Sequence, residues 1–288
     1  MKLMNFKVGD AIHVGLVLED GVVDLNAAIE AKGLCDRPGV GLTMEKLIAA
    51  GDVGRALVQQ AAEGSPRLNE ADLVYAPAVT CPEKILCVGL NYKDHVDEGS
   101  SVLPDFPVLF SKFNTSLAAH EEVIPIPKAT GNIDYEAELV VVIGKECFEV
   151  SKEQALDYVY GYTIGNDLSA RAQQRRVSQW LTGKSPDKFG PVGPYIVTAD
   201  DIDGGNLEIK LYRNGEVGQQ SNTRMMIFDT ATIISYTSQF MTLKPGDIIF
   251  TGTMAGVIGG HKDPVWLKAG EELVVEIEGI GRLRNVLA

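Results

Sequence analysis

The sequence is poor in cysteine and in basic residues. Its 288 residues include four cysteines, with no C-x-x-C pair and no Cys/His cluster at zinc-site spacing. Free thiols in a reducing compartment are therefore expected rather than disulfides. Lys and Arg total 26 against 39 Asp and Glu, which gives a net charge of −13. This excess of negative charge argues against nucleic acid and anionic membranes as partners.

Long apolar runs are also missing. No stretch approaches the roughly 18 apolar residues that a membrane span requires. The N-terminal segment MKLMNFK has no apolar stretch typical of a secretory signal. These absences predict a cytoplasmic protein without membrane contact. The apolar content of 45% and charged content of 23% are typical of a globular protein.

The first part of the chain has the pattern of a small mixed unit. Residues 12–18 and 22–25 flank a Glu-Asp-Gly turn and predict a β-hairpin. Helical periodicity follows over residues 43–62, with an interruption near Gly51. We therefore predict a small N-terminal α+β domain at residues 1–75.

The pattern changes from Ile85 onward to many short apolar segments separated by Gly and Pro. Helices are expected only near residues 152–158, 170–180 and 230–241. The predicted fold class is α+β and mainly β, with a mixed β-sandwich or β-roll at residues 76–288.

The most informative stretch is residues 134–144, with the sequence DYEAELVVVIG. Its second half is apolar and mostly β-branched, which predicts a strand buried on both faces. Glu136 and Glu138 would lie on one face of that strand, where they would repel by about 4 kcal/mol at a separation of about 4 Å. One carboxyl takes up a proton, a cation lies between them, or the strand end emerges into water with both solvated.

A third carboxylate, Asp167, follows an apolar segment that ends near Ile164. It would be a further oxygen ligand at a strand end, or the N-terminal cap of a helix. Three carboxylates without neighbouring Cys or His suit Mg²⁺, with Mn²⁺ or Ca²⁺ possible, better than Zn²⁺. A Mg²⁺ ion held in this way would keep about three open positions for a chelating dicarbonyl.

Two further segments could contribute to catalysis. His95 and Glu98 are three residues apart, so on one helical turn Glu98 could polarise His95 as a general base; a solvated loop histidine is the competing interpretation. The residues that follow, 99–101, could hinge a lid. The Gly/Pro-rich loop 182–191 could present Lys184 to a developing negative charge, although many loop lysines have no such role.

Together these segments resemble the fumarylacetoacetate hydrolase family, from about Lys84 to the C-terminus. The similarity rests on five motifs in the family's order: VGLNY at 88–92 with His95, DYEAEL at 134–139, NDLSAR at 166–171, GKS at 183–185 and TGT at 251–253. The resemblance implies the family's mixed β-roll, usually a homodimer, preceded by the smaller N-terminal domain that many members carry.

The resemblance also implies roles for eight residues. The Mg²⁺ ligands would be Glu136, Glu138 and Asp167. The catalytic residues would be His95 as general base, Glu98 as its acidic partner on a lid, and Lys184 as a stabiliser of negative charge. The substrate-contacting residues would be Gln174 and Thr253.

The implied reaction is hydrolysis of a carbon–carbon bond in a small keto acid. The substrate would be a 2,4-dioxo acid, either an acylpyruvate or a diketo deoxy sugar acid, and the reaction would pass through a metal-bound pyruvate enolate. The same site could decarboxylate oxaloacetate, because that reaction passes through the same enolate. The sequence also leaves open an activity like that of proteins called ureidoglycolate lyases, which residues 183–196 resemble, and a non-catalytic sugar-acid binder with a structural cation.

Overall fold

The computed structural model describes residues 1–34, 41–98 and 102–288. The predicted lid hinge at residues 99–101 lies outside the described residues. Three cysteines within the described ranges, Cys81, Cys87 and Cys147, are free thiols, as expected.

The described residues form more strands than helices. In chain order the strands are β1 (Lys2–Val8), β2 (Ala11–Leu18), β3 (Gly21–Asp24), β4 (Val74–Ala76), β5 (Ile85–Gly89), β6 (Val108–Lys112), β7 (Leu117–Ala118), β8 (Val123–Ile124), β9 (Ile133–Asp134), β10 (Ala137–Ile143), β11 (Val159–Asn166), β12 (Ser169–Ala170), β13 (Gly190–Thr198), β14 (Glu208–Arg213), β15 (Glu216–Asn222), β16 (Ile248–Phe250), β17 (Glu272–Ile277) and β18 (Gly281–Leu287). The helices are α1 (Leu25–Ala31), α2 (Met44–Ala49), α3 (Gly51–Ala62), α4 (Lys93–Glu98), α5 (Arg171–Gln174), α6 (Leu181–Lys184) and α7 (Thr230–Ser238).

Two open sheets contain most of these strands. The larger has eleven strands in the order β3-β2-β1-β13-β11-β10-β16-β5-β6, with β4 paired to β1 and β7 to β13. The smaller has five strands in the order β15-β14-β17-β18-β8, and β9 pairs with β12 as a separate ribbon. The predicted fold class, α+β and mainly β, is confirmed.

Strand β10 lies in the middle of the larger sheet and is buried on both faces, as predicted. Leu139 and Val141 point into a core shared with the five-stranded sheet and α7. Val140 and Val142 point into the opposite core, which contains helices α1 to α3. The strand alternates between two hydrophobic cores because successive side chains point to opposite faces.

The first 75 residues have the predicted hairpin and interrupted helix. Strands β2 and β3 pair across the Glu-Asp-Gly turn, and α2 ends at Ala49 before Gly51, whose φ of +53° interrupts the helix. Strand β1 pairs with β2 on one side and with β13 on the other. The two predicted domains therefore share a continuous sheet, and the boundary at residue 75 stays a prediction.

The prediction of one helix over residues 170–180 is wrong beyond Gln174. Helix α5 ends at Gln174, and α6 begins only at Leu181. The chain turns back between them because Gly183 packs against Gln174, where an ideal Cβ on the glycine would lie 2.5 Å from the Gln174 amide nitrogen. The helix expected near 152–158 is a short 3₁₀ turn at Ala155–Tyr158, whereas the helix expected from residue 230 is present as α7.

Candidate active site

The three carboxylates predicted as metal ligands converge where β10 begins and β11 ends. Glu138 lies opposite Gly165 in the antiparallel pair of these strands, and Glu136 and Asp167 lie just outside the paired region. One oxygen from each carboxylate lies within 4.8 Å of the others, and all three residues are buried. The register of β10 and β11 therefore supports the expectation that Glu136, Glu138 and Asp167 lie close together.

Backbone contacts hold two of these residues in place. The amide of Glu136 donates to Asn166 Oδ1 over 3.0 Å. The amide of Asp167 donates to the carbonyl oxygen of Glu136 over 2.9 Å. The second bond continues the pairing of β10 and β11 by one step, and together the two bonds hold Glu136 next to Asp167.

Three buried cations surround the carboxylates. Lys184 Nζ pairs with Glu136 and lies 2.7 Å from Asp167 Oδ2. Arg171 Nη2 lies 2.7 Å from Glu136 Oε1, and Lys112 Nζ lies 2.6 Å from Asp167 Oδ1. Sequence reasoning assigned no role to Arg171 or Lys112, although Arg171 belongs to the NDLSAR motif.

The ion pairs leave the two glutamates in different electrostatic environments. Burial opposes the ionisation of Glu136, but the charges of Lys184 and Arg171 lower its pKa to about 2. No ion pair reaches Glu138 within the described part of the chain. Burial and the charges of Asp167 and Glu136 raise the pKa of Glu138 well above its ordinary value. A cation among the three carboxylates would supply the positive charge that Glu138 lacks, and this all-oxygen donor set fits a hard divalent ion.

Helix α4 places His95 and Glu98 at the mouth of the site. His95 Nδ1 lies 3.6 Å from Glu98 Oε2, too long for a hydrogen bond. This buried nitrogen has no hydrogen-bond partner among the described residues. Glu98 accepts bonds of 3.1 and 3.2 Å from the amide of Gly256. Burial opposes its ionisation, but His95 and this amide hold the pKa of Glu98 below its ordinary value.

Lys184 is suited to electrostatic stabilisation rather than to proton transfer. Burial favours its neutral form, but the charges of Asp167 and Glu136 outweigh burial and raise its pKa to about 12. The ammonium group therefore stays charged at neutral pH, next to the carboxylates.

The two residues predicted to contact substrate also lie in the site. Gln174 Oε1 accepts from Arg171 Nη1 over 3.0 Å. Thr253 Oγ1 donates to the carbonyl of Ala137 over 2.9 Å and accepts from Gln219 Nε2 over 2.8 Å. Gln219, which sequence reasoning did not identify, thus fixes the hydroxyl group of Thr253 beside the start of β10.

A buried aspartate links the carboxylates to the loop that contacts Glu98. Asp134 Oδ2 lies 2.8 Å from Arg171 Nε. Its carboxylate also accepts from the amides of Ile258 and Gly259 over 2.8 and 2.9 Å. The loop at residues 256–260 is therefore fastened at one end to Asp134 and at the other to Glu98.

These residues enclose a cavity of about 590 Å³. Seven of the eight predicted site residues line it, and Asp167 lies behind them. The apolar part of the wall includes Val88, Leu90, Phe110, Val177, Trp180 and Val257. A cavity lined by both charged and apolar groups suits a small ligand with an anionic end.

The fold and the site together define a family of enzymes. Residues 84–288 match the family model described as fumarylacetoacetate (FAA) hydrolase C-terminal. The chain belongs to the fumarylacetoacetate hydrolase family, as the resemblance of its motifs predicted. Members of this family are enzymes.

Individual relatives point to particular activities. The chain is similar to the oxaloacetate tautomerase Fahd2a, mitochondrial, of Rattus norvegicus, with 39% identity over 292 residues that cover 99% of this chain and 91% of the relative. Its structure is similar to the fumarylacetoacetate hydrolase of psychrophilic Exiguobacterium antarcticum, with a TM-score of 0.84, 33% identity and coverage of 100% and 99%. It is also similar to the maleylpyruvate hydrolase of Sphingobium sp. SYK-6 in complex with manganese(II) and pyruvate, with a TM-score of 0.81, 28% identity and the same coverage.

The relatives bear on location as well. The rat relative is mitochondrial by name, so the predicted cytoplasmic location is not confirmed and stays a prediction. Among the described residues, no helix is long and apolar enough to cross a membrane.

Proposed function

We propose that this chain catalyses the keto–enol tautomerisation of oxaloacetate at a divalent cation. The proposal is supported by the 39% identity to an oxaloacetate tautomerase over nearly the whole chain. Tautomerisation moves one proton between the C3 carbon and the oxygen on C2, so it requires a base near a site that stabilises an oxygen anion. The carbon–carbon hydrolysis and the decarboxylation expected from the sequence require further bond-breaking steps.

The cation would be held by Glu136, Glu138 and Asp167. When bound, it would orient the carboxylate and keto oxygens of the substrate and stabilise negative charge on the keto oxygen. Mg²⁺ is the expected ion, with Mn²⁺ or Ca²⁺ possible, and the manganese of the Sphingobium relative supports an ion of this kind. We also propose that the protein is a homodimer, because the family resemblance implies one.

The protein's own groups would handle the proton and the charge. His95 would take the proton from C3 with Nε2, because its side chain lines the cavity while its Nδ1 faces Glu98. Glu98 would orient the imidazole from the Nδ1 side. Lys184, charged at neutral pH, would lower the energy of the developing oxygen anion. The apolar wall would keep competing water from the reacting carbon.

The observation that carries this proposal is that His95 lines the same cavity as the buried three-carboxylate cluster. The test is to follow the loss of enol absorbance of oxaloacetate with purified protein and added Mg²⁺ or Mn²⁺. We expect a rate well above that of the metal alone, lost in His95→Ala and retained in His13→Ala, a control at a histidine outside the cavity. A rate equal to that of metal in buffer would overturn the proposal.

Hydrolysis of an acylpyruvate is a second candidate. It is favoured by the likeness to a maleylpyruvate hydrolase and by the apolar wall of Phe110, Val177 and Trp180, which could receive an acyl group. In that reaction His95 and Glu98 would activate water rather than a C–H bond. Maleylpyruvate, acetylpyruvate, fumarylpyruvate and a diketo deoxy sugar acid should be assayed in parallel. CO₂ release from oxaloacetate should be measured too, since it identifies decarboxylation separately from tautomerisation.

A further inference from the structure

We propose that Arg175 binds the distal carboxylate of the substrate, so that the site selects a dicarboxylic keto acid. The inference rests on the proposed function and deepens it by assigning the residue that recognises the far end of oxaloacetate. It is carried by the position of Arg175 in the cavity and by its freedom from ion pairs with the described residues.

Arg175 is placed on the cavity wall by the end of α5. It is the residue that caps this helix, with its amide bonded to the carbonyls of Arg171 and Gln173. Its side chain lines the cavity, and its Nη2 donates to the carbonyl of Gly259 over 3.5 Å. An ideal Cβ on Gly259 would lie 3.2 Å from Arg175 Nη2 and 3.4 Å from Arg171 Nε. The two guanidinium groups therefore flank the same point of the wall.

A continuous series of contacts runs from the carboxylate cluster to Arg175. Arg171 contacts Glu136 through Nη2 and Asp134 through Nε. Gly259 lies against Arg171 on the inner side and Arg175 on the outer side. A substrate whose inner end reaches the carboxylate cluster would extend past Arg171 towards Arg175.

The charges of the two other cavity-lining cations are already neutralised. Arg171 pairs with Glu136 and Asp134, and Lys184 pairs with Glu136 and Asp167. Arg175 forms no ion pair with any residue in the described ranges, and its only polar side-chain contact there is the long bond to Gly259. It is therefore the cation of this cavity that can pair with a ligand without losing a protein partner.

A guanidinium group suits this task because it can donate two parallel N–H bonds to one carboxylate. Oxaloacetate carries a carboxylate at each end, one for the cation site and one for Arg175. An acylpyruvate with an apolar acyl group would leave Arg175 without a partner. Pyruvate, which the Sphingobium relative binds, also lacks a second carboxylate and serves as a probe of the inner half of the site.

The experiment compares Arg175→Met with Arg176→Met, a matched control at the next residue, which is exposed and does not line the cavity. We expect the KM for oxaloacetate to rise about tenfold in Arg175→Met, equivalent to about 1.4 kcal/mol, with kcat changed less than about twofold. Arg175→Lys should recover part of the loss, since lysine keeps the positive charge but cannot donate two parallel N–H bonds to one carboxylate. The inhibition constant of pyruvate should be the same in all variants.

The outcomes separate this inference from the proposed function. If wild-type protein converts oxaloacetate but Arg175→Met and Arg176→Met have equal KM values, Arg175 does not bind the distal carboxylate and the proposed function stands. If pyruvate inhibition weakens as much as oxaloacetate binding, Arg175 acts by shaping the site, which also overturns the inference. If wild-type protein does not convert oxaloacetate at all, the proposed function itself fails.

Discussion

Adding a single methyl group at Gly260 should displace the Glu98 side chain from the active site. An ideal Cβ on Gly260 would lie 2.3 Å from Glu98 Cδ and 2.4 Å from its Cγ, far inside contact distance. The backbone of Gly260 does not have the positive φ that would itself require glycine, so Gly260→Ala acts through this collision. We expect the Glu98 side chain to leave its place on the loop.

The size of the effect follows from what Glu98 would lose. Its carboxylate accepts charge-assisted bonds of 3.1 and 3.2 Å from Gly256, and such bonds contribute about 1.5–3 kcal/mol. If they keep Glu98 beside His95, kcat should fall by roughly 10- to 150-fold. Cation affinity should not change, because the atoms nearest to the added methyl group all belong to Glu98 and not to the proposed ligands.

A double-mutant cycle tests this reasoning. Oxaloacetate turnover would be measured for Gly260→Ala, Glu98→Ala and the double variant, with Mn²⁺ affinity from calorimetry. If the methyl group acts only through Glu98, the double variant should be no slower than Glu98→Ala alone. Gly41→Ala, whose Cβ would meet only ordinary contacts, controls for the general effect of replacing glycine. Additive losses, or an unchanged kcat in Gly260→Ala, would refute the proposed role of this contact.

Three further changes test other parts of the molecule. His95→Ala should lower oxaloacetate turnover by about 10²- to 10⁴-fold while calorimetry shows Mn²⁺ binding unchanged; retained turnover would remove His95 as the base. Glu138→Ala should weaken Mn²⁺ binding in the same titration, and equal affinity would exclude Glu138 from the ligand set. In the N-terminal region, burial opposes the ionisation of Glu45, but the amides of Cys81 and Thr80 help to hold its pKa below the ordinary value. Its ionised form therefore adds stability above the unfolded-state pKa of about 4.3, and this stability is lost as the pH falls through the lower folded-state pKa. Glu45→Gln should destabilise the protein by about 1–2 kcal/mol at pH 7, with a difference that shrinks below about pH 4; thermal melts across pH would show a constant difference if the carboxylate charge had no role.

The carboxylate-bearing strand could be predicted because its signal is local. The apolar run after Glu138 and the two-residue spacing from Glu136 lie within one short segment, and both follow from strand geometry. The buried cations are different, because they come from distant parts of the chain. Lys112 lies 55 residues from Asp167 in sequence, and only the strand register brings the two together.

The error over residues 170–180 has a similar origin. Apolar and polar residues there have a spacing that is compatible with a helix, but the native chain must turn so that Gly183 can pack against Gln174. That turn places Lys184 on Glu136 and Arg175 on the cavity wall. Tertiary contacts thus outweigh local helical preference in the segment that supplies Arg171 and Arg175 to the site.

The electrostatic difference between the two glutamates could be predicted only in part. Repulsion between Glu136 and Glu138 follows from their spacing, and so does the need for a proton or a cation. Which carboxylate is paired depends on Arg171 and Lys184, whose positions are set by the fold. The sequence could therefore predict the repulsion between the two carboxylates but not which of them lacks a cationic partner.

The two-sided burial of β10 limits how the protein can be rearranged by engineering. Val140 and Val142 lie on the same face of the strand as Glu138, and the core that covers them includes side chains from the first 75 residues, among them Leu3, Met44 and Ile48. A shortened chain beginning at residue 76 would partly expose this face of the metal-binding strand to water. Exchanging the N-terminal region for another would succeed only with a replacement whose apolar surface fits these valines.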